Sequence, residues 1–280
     1  MFGSSVDAGS RLPSRAVTSL LVFVMVTTWV VLYFVSILGS LWRFREPGAP
    51  APVLTAHDQL LDLGVLAGQL IVGATAVGVV LMIRRNSLAT ALPRRQGTAF
   101  DAALAWCAAV AVASAAVLIL DRTGLARFDL SAPAAVESPW LAVTAALAAG
   151  LREEPALVAL PLVLLVGRLP VGWIMVLAGA MRGTLYLHFG AGGFFWAFVW
   201  GAAAVWVYYR YRRLWVLILV HGLVMNVQAL DRVLLHDSAA TVLQWLNILV
   251  LFGALMWWVV PRVLGSVVVR DEGAVRANRT

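Results

Sequence analysis

Polar and apolar positions fall in long blocks along this chain, with no short alternation. Residues 16–42, 63–83 and 102–120 contain no charged side chain. A helix needs about 20 consecutive apolar residues to cross a bilayer, so each block predicts one span. Residues 138–167 are apolar except for Arg152, Glu153 and Glu154 in the middle. Residues 169–209 carry only Arg182 as a formal charge and are too long for one span. Gly190, Gly192 and Gly193 offer a turn between two. A basic aromatic loop, Tyr208 to Arg213, leads to apolar blocks at 214–230 and 238–261. The pattern predicts an all-α, polytopic integral membrane bundle of about eight transmembrane helices. It leaves a Pro/Gly/Ala loop at 43–59, a polar loop at 121–137 and a polar tail after Arg262. Arg11 and Arg15 ahead of the first block imitate a signal peptide, but the block is long for a signal core and reads as a retained span.

Composition agrees. Of 280 residues, 62% are hydrophobic and 12% charged, against about 25% charged in ordinary soluble domains. That balance excludes a soluble enzyme, a disordered chain and a secreted disulfide scaffold. Cys107 is the single cysteine, so neither an intrachain disulfide nor a thiolate metal cluster is available. The net charge of +7 comes from 21 basic residues, all arginine. They sit in short clusters between apolar blocks, which is how membrane proteins set their orientation, so no nucleic-acid partner is expected. With the N-terminus inside, the inner segments hold 14 arginines and the outer ones 5. Both termini are therefore expected to be cytoplasmic. Arginine in place of lysine, with abundant Ala, Val and Leu, suggests a GC-rich bacterial coding bias and hence a bacterial cell membrane.

An ionisable side chain at the centre of a span costs roughly 2.5–3.5 kcal/mol and usually marks a site. The candidates are Arg152, Glu153, Glu154, Arg182, His188, His221 and Asn226, in the fourth, fifth and seventh spans. Adjacent Glu153 and Glu154 point about 100° apart on a helix. One can face a pocket while the other meets Arg152, Arg182 or the backbone. A carboxylate in a dry pocket can act as a general base on water, or the pair can be a structural ion cluster joining helices. His221 shares its span with Asn226 and Gln228, and Gln228 lies nearly on the His221 face. Arg182 and Tyr186, four apart, share another face. His57 and His236 fall in loops and read as bland.

These pieces occur in a recognisable order: Leu151-Arg152-Glu153-Glu154, then Arg182-Gly-Thr-Leu-Tyr186-Leu-His188-Phe-Gly190, then Leu214-Trp215 through His221 after a basic loop. The order resembles the CPBP (Abi) family of intramembrane proteases, which includes the type II CAAX prenyl endopeptidases, over roughly residues 138–232. The resemblance implies an intramembrane endopeptidase acting on a membrane-anchored peptide or protein among membrane lipid. Glu153 would activate water with Glu154 assisting, and His188, His221 and an amide, Asn226 or Gln228, would stabilise the oxyanion. Some members of the family are described as metal-dependent, and Glu153, His188 and His221 would make an acceptable zinc set. Arg152, Arg182, Tyr186 and Gln228 would support the site.

The match has departures. Val158 stands where the family places an arginine, leaving Arg152 or Arg182 to substitute. Tyr186 and His188 look exchanged, and the third-motif amide comes one residue late, at Asn226 instead of Met225. Straight helices would also put the groups at different depths, the Glu pair ~21 Å from the inner boundary, His188 ~27 Å and His221 ~12 Å. Pro155 and Pro161 predict an irregular fourth span. The expected organisation is three N-terminal spans (1–137), a catalytic core (138–232) and a last span with a cytoplasmic tail (233–280). The alternatives are an inactive family member serving as a membrane immunity or scaffold protein, and a small proton-coupled transporter.

Overall fold

A computed structural model describes residues 14–46, 53–128, 136–233 and 237–277. Arg11, Pro47, Gly48, Pro50, Pro52, His236 and Arg279 lie outside the described residues. The described chain is helical throughout and contains no strand, only isolated bridges. Its elements are α1 (Ser14–Arg45), α2 (Ala56–Ala91), α3 (Ala99–Arg122), α4 (Pro139–Leu147), α5 (Ala149–Glu154), a π segment (Pro155–Ala159) and α6 (Leu160–Leu165). They continue as α7 (Val171–Leu185), a 3-10 turn (Leu187–Phe189), α8 (Ala191–Tyr211), α9 (Leu214–Val233) and α10 (Asp237–Ala277).

Among the described residues, five stretches are long and apolar enough to cross a membrane: Arg15–Arg45, Ala56–Ala91, Ala99–Arg122, Ala191–Tyr211 and Thr241–Pro261. Val171–Leu185 and Leu214–Leu230 are shorter apolar helices, and the expected fourth span is broken into α4, α5, the π segment and α6. The all-α multi-pass bundle therefore stands, assembled from unequal pieces. Large apolar side chains face outward, such as Val35 at 82% and Ile83 at 79% exposure. That surface suits lipid and would be unfavourable in water.

Local chemistry sets the helix ends. Thr55 with Asp58 and Thr98 with Asp101 form reciprocal capping boxes, satisfying orphan donors at two N-termini. They start α2 and α3 several residues before the apolar blocks do. The tail after Arg262, expected as a polar extension of the last span, is helical to Ala277. Loss of apolar character ends a span, while charged residues such as Arg and Glu remain good helix formers.

The turns show how the helices alternate. At one end Gln96 N–H donates to Arg210 O, Arg212 Nη2 donates to Pro93 O, and Arg84 donates to Val163 O, Leu164 O and Val166 O at 2.6, 2.6 and 2.8 Å. Arg84 thereby caps the C-terminus of α6, where four carbonyls lack helical partners. At the other end Glu137 N–H donates to Leu54 O and Gly192 N–H to Arg127 O. The loops grouped at each end are those an up-and-down order of segments brings together. The arginine-dense ones, 84–95 and 210–213, share one end.

α8 packs between α3 and α7, and α9 lies against α4 and α5. The close approach of α9 to α4 and α5 depends on two glycines. A Cβ at Gly150 would overlap Ile218 O, and one at Gly222 would overlap Leu147 O. Small residues let membrane helices bring backbones together, and here they do so beside Glu154 and His221.

Candidate active site

Glu154 ends α5 and is fully buried. Its Oε1 accepts from Arg182 Nη2 at 2.9 Å and lies 2.7 Å from His221 Nδ1. Arg182 and His221 are also fully buried. Arg182 comes from the last turn of α7 and His221 from α9, so one carboxylate joins three segments. The Arg182 guanidinium lies over the Trp200 ring at 4.2 Å from its centroid. Gly201 leaves room for the arginine stem, because a Cβ there would sit 2.9 Å from Arg182 Cδ. His221 is boxed by Trp200 and Trp106 at centroid distances of 5.0 and 5.8 Å. A charged group this dry persists only when paired and hydrogen-bonded.

The expected mismatch in depth between the Glu pair and His221 is absent for this contact. The fourth segment is not a straight helix. It breaks at Ala148 and winds as a π turn from Pro155 to Ala159. Pro155 has no N–H to donate, and π segments recur at functional sites. Val158, where the family pattern has an arginine, is fully buried among apolar neighbours. Arg182 supplies the guanidinium that faces the glutamates.

Glu153 faces elsewhere. Its side chain keeps 12% exposure, and its Oε2 lies 3.5 Å from Arg182 Nε, within ion-pair range. It lines a cavity of about 850 Å³ together with Arg152, Tyr186, His188 and Gln228. The cavity walls come from Tyr33 to Arg43 of α1, Ser114 to Leu118 of α3, and Met225 to Ala229 of α9. Every contributing segment lies in the half of the bundle away from the arginine-rich end. Glu154, Arg182, His221 and Asn226 are not among the lining residues.

The remaining candidates divide between cavity and scaffold. Arg152 donates from Nη2 to Ser36 Oγ at 3.0 Å and from Nη1 to Asp62 Oδ1 at 3.4 Å. Its carbonyl accepts from Tyr33 OH at 2.7 Å. It therefore ties α5 to α1 and α2 and does not substitute for the family arginine beside the glutamates. Asn226, expected at the oxyanion, donates from Nδ2 to Val143 O at 3.1 Å and holds α9 to α4. Gln228 is the amide that reaches the cavity. His188 sits in the 3-10 turn, with Nδ1 2.9 Å from Leu185 O and 3.2 Å from Ser40 Oγ. Tyr186 stacks beside it at 6.1 Å.

Glu153, His188 and His221 do not fit a zinc site. Among the described residues, no three His, Cys, Asp or Glu side chains are grouped to hold a metal ion.

Sequence reasoning missed Trp200, Gly201, Gly150, Gly222, Tyr33 and Ser40. Tryptophan is common in this chain and glycine more so, and nothing local singles out these positions. Gly222, directly after His221, was the nearest to a signal.

A buried acid–guanidinium–imidazole cluster lies beside a carboxylate-lined cavity, all inside a polytopic helical membrane bundle. Residues 135–227 match the family model described as type II CAAX prenyl endopeptidase Rce1-like, which supports the CPBP/CAAX protease-like family. The matched region holds every residue of the cluster. No curated protein and no solved structure matches the chain.

Proposed function

We propose that this chain is an intramembrane endopeptidase whose reactive carboxylate is Glu153, and that residues 138–232 form its catalytic core. The observation that carries the reading is the contrast between neighbours. Glu153 lines the cavity, while Glu154 is buried and clamped between Arg182 and His221. In this mechanism Glu153 accepts a proton from water as the water oxygen bonds to the peptide carbonyl carbon. The carbonyl π pair moves onto oxygen. Gln228 donates to that oxyanion from the cavity wall, as does His188 in its imidazolium form, its Nδ1–H being turned to Leu185 O, and Tyr186 steadies the His188 ring. Glu153 then returns the proton to the amine nitrogen as the C–N bond breaks, leaving a carboxylic acid and a free amine, and the acid's proton passes to that amine as they part. Glu154 and Arg182 are positioning residues, and Arg182 holds both carboxylates in place. His221 holds Glu154 from the other side, and its buried Nε2 has no hydrogen-bond partner among the described residues.

The substrate is a membrane-anchored peptide or protein, in keeping with a cavity inside the lipid-facing bundle. Arginine bias makes both termini cytoplasmic in a bacterial cell membrane. In that orientation the cavity opens on the outer half, away from the arginine-rich loops.

The test is cleavage of a set of lipid-anchored peptides by purified protein in nanodiscs, with products identified by mass. Wild type is expected to cut at least one and Glu153→Ala none, with both folded. Equal cleavage by the two removes the reading. A second reading, an inactive scaffold, draws on Asn226 and His188 being held against backbone carbonyls. It predicts that substituting His188 and His221 lowers stability while no cleavage is ever detected.

A further inference from the structure

A second hollow, of about 570 Å³, lies on the outside of the bundle at the arginine-rich end. It is independent of the cavity above. Its apolar wall is Gly78, Leu81, Met82, Leu88, Ala89 and Leu92 along α2 and its end, with Leu162 and Val163 of α6. Its rim carries Arg85, Tyr208 and Arg212, with no acidic residue among the groups that line it.

The α2 wall is apolar on both sides of Arg85. Gly78 and Arg85 are seven residues apart on α2, ~10 Å along the helix axis. Arg85 therefore stands midway along the trough, with Leu88, Ala89 and Leu92 continuing its apolar wall toward Arg212. Leu81 and Met82 are 41% and 75% exposed and face the surroundings of the bundle. Arg84 turns inward to cap α6, whereas Arg85, its neighbour, is exposed. Arg212 uses Nη2 on Pro93 O, but its buried Nε has no hydrogen-bond partner. Two cations over an apolar trough between helices complement a phosphate with acyl chains below it.

We propose that this groove binds one anionic phospholipid, its phosphate between Arg85 and Arg212 and an acyl chain along Leu81, Met82 and Leu162. Charge complementarity selects the occupant. A zwitterionic lipid would set its own ammonium among the two arginines, and a free phosphate would leave the trough unfilled. Bound there, the lipid would bridge α2, α6 and the start of the α8–α9 turn. It would brace the segment that carries the glutamates without touching the cavity.

The experiment is native mass spectrometry of the full chain from detergent, titrated with phosphatidylglycerol, phosphatidylcholine or inorganic phosphate. Wild type is expected to retain one phosphatidylglycerol in preference to phosphatidylcholine and to retain no phosphate. Arg85→Gln should lower that first-site occupancy about five-fold, the effect of one arginine at an anionic headgroup. Arg94→Gln, at the same end but outside the groove, should leave it unchanged. Met82→Trp, which fills the trough and keeps both charges, should also displace the lipid. Equal retention of the two lipids overturns the proposal. So does equal loss in Arg85→Gln and Arg94→Gln, which would mean diffuse surface attraction, or retention of phosphate alone.

Discussion

Removing the guanidinium at Arg182 tests the buried cluster most severely. Arg182→Met keeps the apolar stem of the side chain and removes the guanidinium, so the loss is mainly electrostatic. Glu154 Oε1 would lose its 2.9 Å donor and keep only His221. Breaking one side of a buried ion pair costs about 3–5 kcal/mol because the other charge stays buried and unpaired. The stacking of the guanidinium on Trp200 at 4.2 Å adds about 2 kcal/mol when desolvated. Against a typical stability of about 5–15 kcal/mol, such a loss should lower the melting temperature in detergent sharply. Glu154→Gln in the Arg182→Met background removes the stranded charge and should restore much of the loss, with a coupling of at least about 2 kcal/mol. The assay is a double-mutant cycle by thermal or denaturant unfolding in one detergent. A cost below about 1 kcal/mol for Arg182→Met, or strict additivity in the cycle, would refute the clamped-cluster reasoning.

Other consequences are read more simply. Gly150→Ala should push α5 from α9, because its Cβ would overlap Ile218 O. Overpacking of this kind costs about 1–3 kcal/mol and should show as lower melting. Gly68→Ala, which meets nothing within 4 Å, should leave melting unchanged or slightly raised. In a Cys107→Ser background, Gln228→Cys should react with a membrane-impermeant maleimide added to intact cells, and Arg94→Cys only after permeabilisation. The reverse pattern would invert the orientation and the side on which the cavity opens.

Much of this architecture was legible because lipid enforces length and apolarity together. A charge-free block such as 102–120 has no other natural reading, and α3 follows it closely. The broken fourth segment was legible from Pro155 and Pro161, though the break at Ala148 left no mark in the residues. The buried ions stood out for the same reason, since Arg182 is costly inside an apolar stretch unless something answers its charge. Which acid answers it was not legible. Helix rotation decides whether Glu153 or Glu154 turns inward, and that rotation follows from contacts far along the chain, such as Gly150 against Ile218 and Tyr33 against Arg152. Asn226 and Gln228 show the same limit. Both are amides at plausible positions after His221, and only the packing of α9 on α4 directs one to a backbone carbonyl and the other to the cavity.

The most direct measurement compares Glu153→Gln and Glu154→Gln side by side, recording both melting temperature and cleavage of a lipid-anchored peptide in nanodiscs. The account predicts that Glu153→Gln melts close to wild type and cuts nothing, while Glu154→Gln melts lower because Arg182 loses its hydrogen-bonded anion and keeps only the 3.5 Å contact with Glu153. Cleavage retained by a well-folded Glu153→Gln protein would contradict it.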